Sequence, residues 1–217
     1  MKKITYVAVL LAIGLLLSAC GDSPAEKIHK NLEESVDKEE TAQNSQKEIA
    51  KLEEKENEIF DQVVDLSLDD FDKIKKHSNN ALENIEKRTD KLKQEKDSME
   101  ESKATFAKIE KSIDKLENEK TKKKAQEMKK QMDKRYKTYE DFNKIYADTL
   151  KDEKTLYTLL KKKDVEQKEV DKTLEKLNET YEKLISKNES FNSETEKYNQ
   201  LKKEFYEGTD LKIKYKD

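Results

Sequence analysis

The sequence predicts an all-α protein, an elongated antiparallel up-and-down bundle of long helices that pack against one another as in coiled coils. Three observations predict this class. The 217 residues include only three Gly and one Pro, so the residues that punctuate short elements are scarce. Charged residues make up 44% of the chain and the mean hydropathy is −1.16, which is typical of disordered chains or of long helices rich in Glu, Lys and Leu. Apolar residues that recur at three- and four-residue steps then favour helices over disorder.

The first 19 residues have the features of an export signal. Lys2 and Lys3 precede a largely apolar run over residues 4–17. A helix that crosses a bilayer needs roughly 17–25 apolar residues, so this run is too short for a membrane span and suits a signal peptide over residues 1–19.

The single cysteine of the chain, Cys20, comes directly after Ser18 and Ala19 at the end of this signal. The tetrapeptide LSAC resembles the lipobox of bacterial lipoproteins, in which the thiol receives a diacylglyceryl group and the signal is cut just before the cysteine. The resemblance implies cleavage between Ala19 and Cys20 and a covalent acyl lipid on Cys20. Two acyl chains hold a protein stably on a membrane, whereas one holds it only reversibly. We therefore expect residues 20–24 to form a lipidated cysteine and a short linker.

Two helices are predicted next, over about 25–66 and about 68–117. Their apolar residues alternate between three- and four-residue steps, which places them on one narrow seam of each helix. Ser67 is predicted to cap the second helix, and Asp70 three residues later suits a variant of the capping box. The seam positions are Ala42, Ile49, Leu52, Ile59, Val63 and Leu66 in the first helix, and Phe71, Ile74, Ala81, Ile85, Leu92, Met99, Phe106, Ile109, Ile113 and Leu116 in the second.

A third helix is predicted over about 122–162, after a reversal near Asn118–Thr121 where the apolar seam lapses. Without this reversal the bundle would have three helices instead of the preferred four, and one of them would be about 140 Å long. The aromatic residues of the third helix would be either part of the core seam, which their spacing favours, or a platform for a sugar or peptide. The seam positions are Met128, Met132, Tyr136, Tyr139, Phe142, Tyr146, Leu156 and Leu160.

The fourth predicted helix, over about 165–206, has the most regular repeat. Asp164 is predicted to cap its start, and Gly208 suits the position just after its end. Asn188 and Thr195 occupy seam positions, where a buried polar residue can fix the register between helices; a ligand site is the less favoured alternative. The seven-residue repeat comprises Val170, Leu177, Leu184, Phe191, Tyr198 and Phe205, with Leu174 and Tyr181 at partner positions.

Residues 208–217 form a basic and aromatic tail after the bundle of residues 25–207. With four helices, this tail returns to the anchored end of the molecule. Its apolar residues alternate with lysines, so an extended tail would show one basic edge, on which each lysine contributes up to about 1 kcal/mol near anionic lipid or wall polymer. A frayed or locally packed terminus is the alternative. The candidate surface-binding residues are Lys212, Lys214, Tyr215 and Lys216.

The sequence gives little support for catalysis. The two histidines, His29 and His77, are far apart and lie on polar helix surfaces by the heptad pattern, without the spacing of a metal pair. No phosphate-binding loop, GxSxG motif or Cys–His pair is present. We therefore expect no enzyme, no catalytic residue, no metal, no cofactor other than the lipid on Cys20, and no small-molecule substrate. Nucleic acid is a poor partner for a slightly acidic exported chain.

A lipobox followed by a Lys- and Glu-rich chain of long helices resembles the cell-wall-binding lipoproteins of Gram-positive Firmicutes. The SAC motif at residues 18–20 and the stretch KRYKTYEDFNKIY at residues 134–146 carry this resemblance, which covers the whole chain. It implies a helical bundle tethered by lipid to the extracellular face of the cell membrane, with a wall-binding role and no established catalytic residues. Lipidation of Cys20 is the residue role that it transfers.

Three functions remain open. The anchor and the long polar bundle favour a non-catalytic binding or structural module that contacts cell-wall polymer or a surface partner. The alternative is a holdase-type chaperone for exported proteins. A solute-binding subunit of a transporter would need α/β lobes with Gly-rich turns, which the sequence lacks, and a pore-forming toxin is disfavoured because no apolar hairpin follows the signal.

Overall fold

The computed structural model describes residues 13–14 and 22–215, and this part of the chain is almost entirely helical. Two short 3-10 turns, Leu68–Asp70 and Ala107–Ile109, precede the third and fourth α-helices. The all-α prediction is confirmed. The elements are β1 (Ile13–Gly14), α1 (Pro24–Lys38), α2 (Glu40–Val64), α3 (Phe71–Phe106), α4 (Glu110–Ile113), α5 (Glu119–Leu160), α6 (Gln167–Glu207) and β2 (Lys214–Tyr215), and the two strands pair antiparallel.

The chain divides into two compact units, and each contains segments of four long helical stretches, namely α1 with α2, α3, α5 and α6. Unit 1 comprises Met1–Gln43, Lys96–Glu140 and Asn188–Asp217. Unit 2 comprises Asn44–Glu95 and Asp141–Lys187. Four long helical stretches are therefore present, and the three-helix alternative is wrong.

Neighbouring stretches run antiparallel within each unit, because hydrogen bonds join low-numbered residues of one helix to high-numbered residues of the next. In unit 2 these pairs are Gln46 with Glu95, Leu52 with Asn84, Arg88 with Glu153, Leu92 with Asn143, Asp141 with Lys187, and Asp152 with Lys176. In unit 1 they include Ala42 with Ser98, Ser102 with Tyr136, Lys124 with Glu204, and Gln131 with Glu194. The predicted up-and-down arrangement is confirmed.

The start of α1 is fixed by a complete capping box. The Glu26 backbone N–H donates to Ser23 Oγ at 3.2 Å, and the Ser23 backbone N–H donates to Glu26 Oε2 at 2.6 Å. Pro24 at the first helical position loses nothing, because the amide there has no partner within the helix. The predicted helix start at about residue 25 is correct to within one residue, whereas this cap is not among the predictions.

The first predicted helix is interrupted at Glu39, between α1 and α2. The Ser98 hydroxyl of α3 donates to the Lys38 carbonyl at 2.5 Å and accepts from the Ala42 backbone N–H at 3.0 Å. These are the two groups that an uninterrupted α-helix would join directly, so the inserted side chain replaces a hydrogen bond of the helix and interrupts it. The expectation of one helix over about 25–66 is wrong for this reason.

The turn between α2 and α3 does not contain the predicted capping box. Ser67 Oγ makes no bond to a backbone amide and lies 3.4 Å from the Asp70 carboxylate. The Asp70 amide instead donates to the Ser67 carbonyl at 2.9 Å, which closes the 3-10 turn before α3 begins at Phe71. The cap prediction is wrong because the backbone itself satisfies the amide.

The chain reverses between α4 and α5. Residues 114–118 are non-helical, and the Asn118 side chain caps α5 by accepting from the Thr121 backbone N–H at 3.0 Å. Lys122 lies in the first turn of α5, where its charge opposes the helix dipole, but its ammonium group donates to the Asp114 carbonyl at 3.1 Å and so stabilises the end of the preceding helix.

The last reversal lies between Leu160 and Gln167. Asp164 is part of this turn, three residues before α6 begins, so the prediction that it caps the helix is wrong. α6 ends at Glu207, and the Gly208 amide donates to the Phe205 carbonyl at 3.0 Å. Gly208 also permits a close approach, because a Cβ there would lie 3.2 Å from Thr121 Oγ1.

Each unit buries most of the seam that the heptad pattern predicted, and the remaining seam positions are half-buried. The aromatic residues of the third predicted helix are all buried, so the core interpretation is confirmed and the exposed platform is wrong. Unit 1 is centred on a cluster that includes Ile28, Leu32, Met99, Phe106, Ile109, Met128, Met132, Tyr136, Tyr139, Phe191, Tyr198 and Phe205. Unit 2 buries Ile49, Val63, Ile74, Ala81, Ile85, Leu92, Phe142, Tyr146, Leu150, Leu156, Tyr157, Leu177 and Leu184.

Candidate functional site

The residues predicted to carry function lie at the two ends of the chain. Ala19, Cys20 and Lys216 fall outside the described residues, so lipidation and cleavage remain predictions. Lys214 and Tyr215 form β2, whose backbone pairs with that of β1. Lys212 is exposed. Of the predicted surface-binding side chains, Lys212 is therefore the one whose exposure the structure describes.

The tail is packed against unit 1 on its apolar edge. Leu211 and Ile213 are partly buried against the unit 1 core cluster, and Lys212 between them faces solvent. The carbonyl of Gly208, just before the tail, accepts from Thr121 Oγ1 at 2.7 Å. The alternative of a locally packed terminus is therefore correct for residues 211 and 213. This packing leaves the Lys212 side chain exposed to solvent.

The start of α1 lies beside the end of α6. His29 Nδ1 and the Tyr206 hydroxyl are 2.8 Å apart, and the two rings meet edge to face with centroids 5.5 Å apart. Because His29 follows Ser23 by less than two helical turns, the linker to Cys20 and the C-terminal tail leave unit 1 near each other.

His29 is buried, so its predicted place on a polar surface is wrong. The reason is the contact with Tyr206, which the heptad pattern of a single helix does not reveal. Burial, aided by the positive charge of Lys202, lowers the pKa of His29 and favours its neutral form. Lys202 is itself buried, and burial lowers its pKa.

The chain has only two arginines among its 46 basic residues, and both are buried. Arg135 is 1% exposed in unit 1, and Arg88 is 2% exposed in unit 2. An arginine presents a planar fork of N–H donors that matches a carboxylate, whereas a lysine is a point charge that prefers hydration. Each unit uses its one arginine for a buried ion pair.

In unit 1, Arg135 forms a bidentate ion pair with Glu39, the residue between α1 and α2. Its two terminal nitrogens donate to the Glu39 carboxylate at 2.9 and 2.8 Å, and its Nε donates to Thr195 Oγ1 at 2.9 Å. The Arg135 guanidinium also lies 4.6 Å from the centroid of the Phe191 ring. Burial opposes the charged form, but the Glu39 carboxylate outweighs it and raises the pKa of Arg135.

Neutral hydroxyls complete the unit 1 cluster. Ser102 donates to Glu39 Oε1 at 2.9 Å and lies 2.8 Å from the Tyr136 hydroxyl. Since the single Ser102 proton goes to Glu39, the Tyr136 hydroxyl donates to Ser102. Thr195 was predicted to fix the register between helices, and its bond to Arg135 provides a contact of that kind.

In unit 2, Arg88 forms a bidentate ion pair with Glu153, and both side chains are 2% exposed. Arg88 Nε donates to Asn84 Oδ1 at 2.9 Å, and Asn84 in turn donates to the Leu52 carbonyl at 2.8 Å. Tyr181 donates to Glu153 Oε1 at 2.6 Å. Burial opposes the charge on Arg88, but Glu153 outweighs it and raises the pKa of Arg88 well above its usual value.

Two further carboxylates of α2 join the unit 2 cluster. Glu56 is buried and accepts from the Tyr157 hydroxyl at 2.5 Å, and the half-buried Glu53 accepts from the Tyr146 hydroxyl at 2.7 Å. Burial, together with the negative charge of Glu153, raises the pKa of Glu56 to about 7, and burial raises the pKa of Glu53. We call Glu53, Glu56, Arg88 and Glu153 the unit 2 carboxylate cluster.

Sequence reasoning missed both clusters. A heptad pattern assigns charged residues to solvent, and nothing in a single helix shows which of 49 acidic residues meets an arginine. The signal that could have found them is the choice of Arg at two positions in a chain that otherwise uses Lys.

The described residues contain neither a membrane-spanning helix nor a cluster suited to a metal ion. No helix in this part of the chain is both long and apolar enough to cross a membrane. No group of three or more His, Cys, Asp or Glu side chains in residues 22–215 is arranged to hold a metal ion.

A family described as "Putative cell-wall binding lipoprotein" matches residues 23–208 of the chain. The chain belongs to this family. The resemblance to this family found in the sequence is thereby confirmed.

Two further proteins are similar to this chain, one in sequence and one in fold. The "Uncharacterized lipoprotein YkyA" of Bacillus subtilis (strain 168) is 39% identical over 90 residues, a match that spans 41% of this chain and 40% of the relative. A crystal structure of a conserved protein of unknown function from Staphylococcus aureus superposes with a TM-score of 0.73 at 21% identity and covers 86% of this chain and 97% of that one. At this identity the second likeness shows the fold alone.

Proposed function

We propose that the protein is a non-catalytic binding module, anchored by a lipid on Cys20 to the extracellular face of the cell membrane, that contacts cell-wall polymer or another surface partner. The family description supports the lipid anchor and the wall-binding role. The observation that carries the proposal for this chain is the exposed Lys212 in the tail that follows α6, whose end contacts the start of α1.

The short linker limits how far this end of unit 1 can lie from the lipid anchor. Two residues, Gly21 and Asp22, lie between Cys20 and the cap residue Ser23, so the two are at most about 11 Å apart in an extended chain. A lipid on Cys20 would therefore hold this end of unit 1 close to the membrane surface. The tail lysines would then face the anionic polymers and headgroups found there, at up to about 1 kcal/mol each.

Two exposed apolar side chains bear on the alternative, a holdase-type chaperone. Among the described residues, Val64 and Leu68 are the exposed large hydrophobic residues, at 63% and 81% exposure. Scattered single residues of this kind are ordinary on protein surfaces, and a client-binding surface would need a contiguous patch. This favours a polar binding module.

Retention on purified cell-wall material tests the proposed contact. The mature chain from residue 21 should be retained, and a triple change of Lys212, Lys214 and Lys216 to Glu should abolish retention. A matched control changes three exposed lysines of the α5–α6 turn and α6 (Lys163, Lys168 and Lys172) to Glu, with the same change in net charge. Equal loss in both variants would indicate a non-specific charge effect, and no retention of the unmodified chain would remove wall binding.

Processing at Cys20 needs its own test. In cells treated with an inhibitor of lipoprotein signal peptidase, we expect an uncut precursor to accumulate. Cys20→Ser should leave the chain without lipid whether or not the inhibitor is present. If precursor length and membrane association are unchanged by either treatment, the anchor is not at Cys20.

A further inference from the structure

The unit 2 carboxylate cluster contains more buried negative charge than its arginine can balance. Arg88 is committed to Glu153 through both terminal nitrogens, and its Nε is used by Asn84. Glu56 is buried and Glu53 is half-buried beside this pair. With every carboxyl ionised, three negative charges would face one positive charge in a poorly hydrated space, which is costly.

The neighbours of Glu56 on every packed helix leave this imbalance uncorrected. α2 contributes Glu53, α3 contributes Arg88, α5 contributes Glu153 with the hydroxyls of Tyr146 and Tyr157, and α6 contributes Tyr181. Each of the three carboxylates accepts one tyrosine hydroxyl, at 2.7, 2.5 and 2.6 Å. A hydroxyl donates a hydrogen bond but carries no charge, so it stabilises a carboxylate without neutralising it.

We propose that the unit 2 carboxylate cluster is a proton-binding site, occupied at Glu56, and that loss of this proton loosens the packing of α2 within unit 2. The proton restores the balance that the arginine alone does not provide. This assignment goes beyond the proposed binding function and does not depend on it.

The direction of the pH dependence follows from the environment of Glu56. Burial and Glu153 raise its pKa from the usual 4.5 to about 7 in the folded chain. Between these two values the folded state holds a proton that the unfolded state has released. The stability of unit 2 therefore falls as the pH rises from about 4.5 to about 7 and changes little beyond it.

The helix that should respond is α2. Both excess carboxyl groups, Glu53 and Glu56, lie on α2, whereas Glu153 lies on α5, so ionisation makes these two helices repel each other. In unit 2, α2 fully buries two large apolar residues, Ile49 and Val63, while three others are half-buried. Few apolar contacts and an added repulsion are the conditions for local opening.

Hydrogen exchange of the full chain, corrected for the intrinsic pH dependence of exchange, tests the proposal. From about pH 5 to about pH 8 we expect the protection of residues 44–64 to fall at least about tenfold. Glu56→Gln keeps the shape and the acceptor for Tyr157 but cannot ionise, and it should remove most of this fall. Glu58→Gln, an exposed change on the same helix, should retain it.

Two outcomes would overturn the proposal: a Glu56→Gln variant with the same pH dependence as the unmodified chain, or an unmodified chain without any. An infrared measurement on the unmodified chain decides the matter even if the variant does not fold. A buried protonated carboxyl band should be present at about pH 6 and disappear by about pH 8, and its absence at about pH 6 would refute proton binding.

Discussion

The two units build the same ion pair in different surroundings. Arg135 in unit 1 and Arg88 in unit 2 each form a bidentate ion pair with one buried glutamate. The Glu39 carboxylate also accepts from the neutral Ser102 hydroxyl and lies near the buried Lys202, whereas the acidic neighbours of Glu153 are Glu53 and Glu56. A buried ion pair is therefore insensitive to pH when its charges balance and becomes sensitive to protonation when they do not.

Removing either arginine should give the largest effect. We expect Arg135→Met and Arg88→Met each to cost about 3–5 kcal/mol at neutral pH, because a buried carboxylate then loses its partner. The Arg88 loss should be the larger, since three carboxyl groups lose their cation, and it should recover more at about pH 5 as those groups take up protons. Hydrogen exchange at increasing urea concentrations, read separately for the residues of each unit, measures the loss of stability in both variants.

Lys134→Met is the control for the arginine variants. Lys134 pairs with Glu194, but its side chain is 60% exposed, and such pairs contribute less than about 1 kcal/mol. If Arg135→Met costs no more than this control, the buried pair does not stabilise unit 1.

Two tyrosine substitutions should show a smaller difference in stability between the units. Tyr181→Phe in unit 2 removes the donor to the Glu153 carboxylate and should cost about 1.5–3 kcal/mol. Tyr198 in unit 1 is fully buried, and its hydroxyl has no hydrogen-bond partner among the described residues. Tyr198→Phe should therefore cost nothing or stabilise slightly. Equal losses in the two variants, measured by urea unfolding, would contradict the hydrogen-bond assignment.

The two candidate helix caps should differ by about 1 kcal/mol. Ser23→Ala in unit 1 breaks the capping box of α1 and should lower stability by about 1 kcal/mol. Ser67→Ala in unit 2 removes a hydroxyl that bonds to no backbone amide, so the loss should stay below about 0.5 kcal/mol. Thermal unfolding of both variants against the unmodified chain checks this order.

The smallest effect is a pH slope of opposite sign in unit 1. Burial, and to a smaller extent the charge of Lys202, lowers the pKa of His29 below its usual 6.5. Below pH 6.5 the unfolded chain therefore binds a proton at His29 that the folded chain does not bind. Unit 1 should lose stability as the pH falls through 6.5 towards that lowered value, while unit 2 gains stability over the same range.

Histidine variants show whether His29 causes this loss of unit 1 stability at low pH or another titrating group does. In His29→Gln the loss of unit 1 protection below about pH 6.5 should vanish, and in His77→Gln it should persist. Hydrogen exchange of residues 24–38 reports the result. A slope that survives His29→Gln would belong to another group.

The heptad pattern predicted the apolar core well. Leu184, Phe191 and Tyr198 recur every seven residues, and all three are buried. This success has a simple cause, since a long helix that packs along one seam repeats its contacts at the period of the sequence. The number of helical stretches followed from the same pattern, once the lapse before Met128 indicated a reversal.

The polar interior could not be predicted in this way. Glu39 and Arg135 are 96 residues apart, and their meeting depends on how separate helices face one another. Ser98 interrupts another helix from across the bundle, which no local pattern records. The two mistaken caps have a related cause, because Ser67 and Asp164 suit a helix start chemically while the turns around them place that start elsewhere.

The burial of both arginines has a practical consequence for observing the units separately. A protease that cuts only after arginine has two target bonds in the whole sequence, one following Arg88 and one following Arg135. Each target lies within a different unit, and neither side chain is accessible in the native state. The order in which the corresponding fragments accumulate during limited digestion would therefore report which unit opens more readily, without any label or engineered reporter.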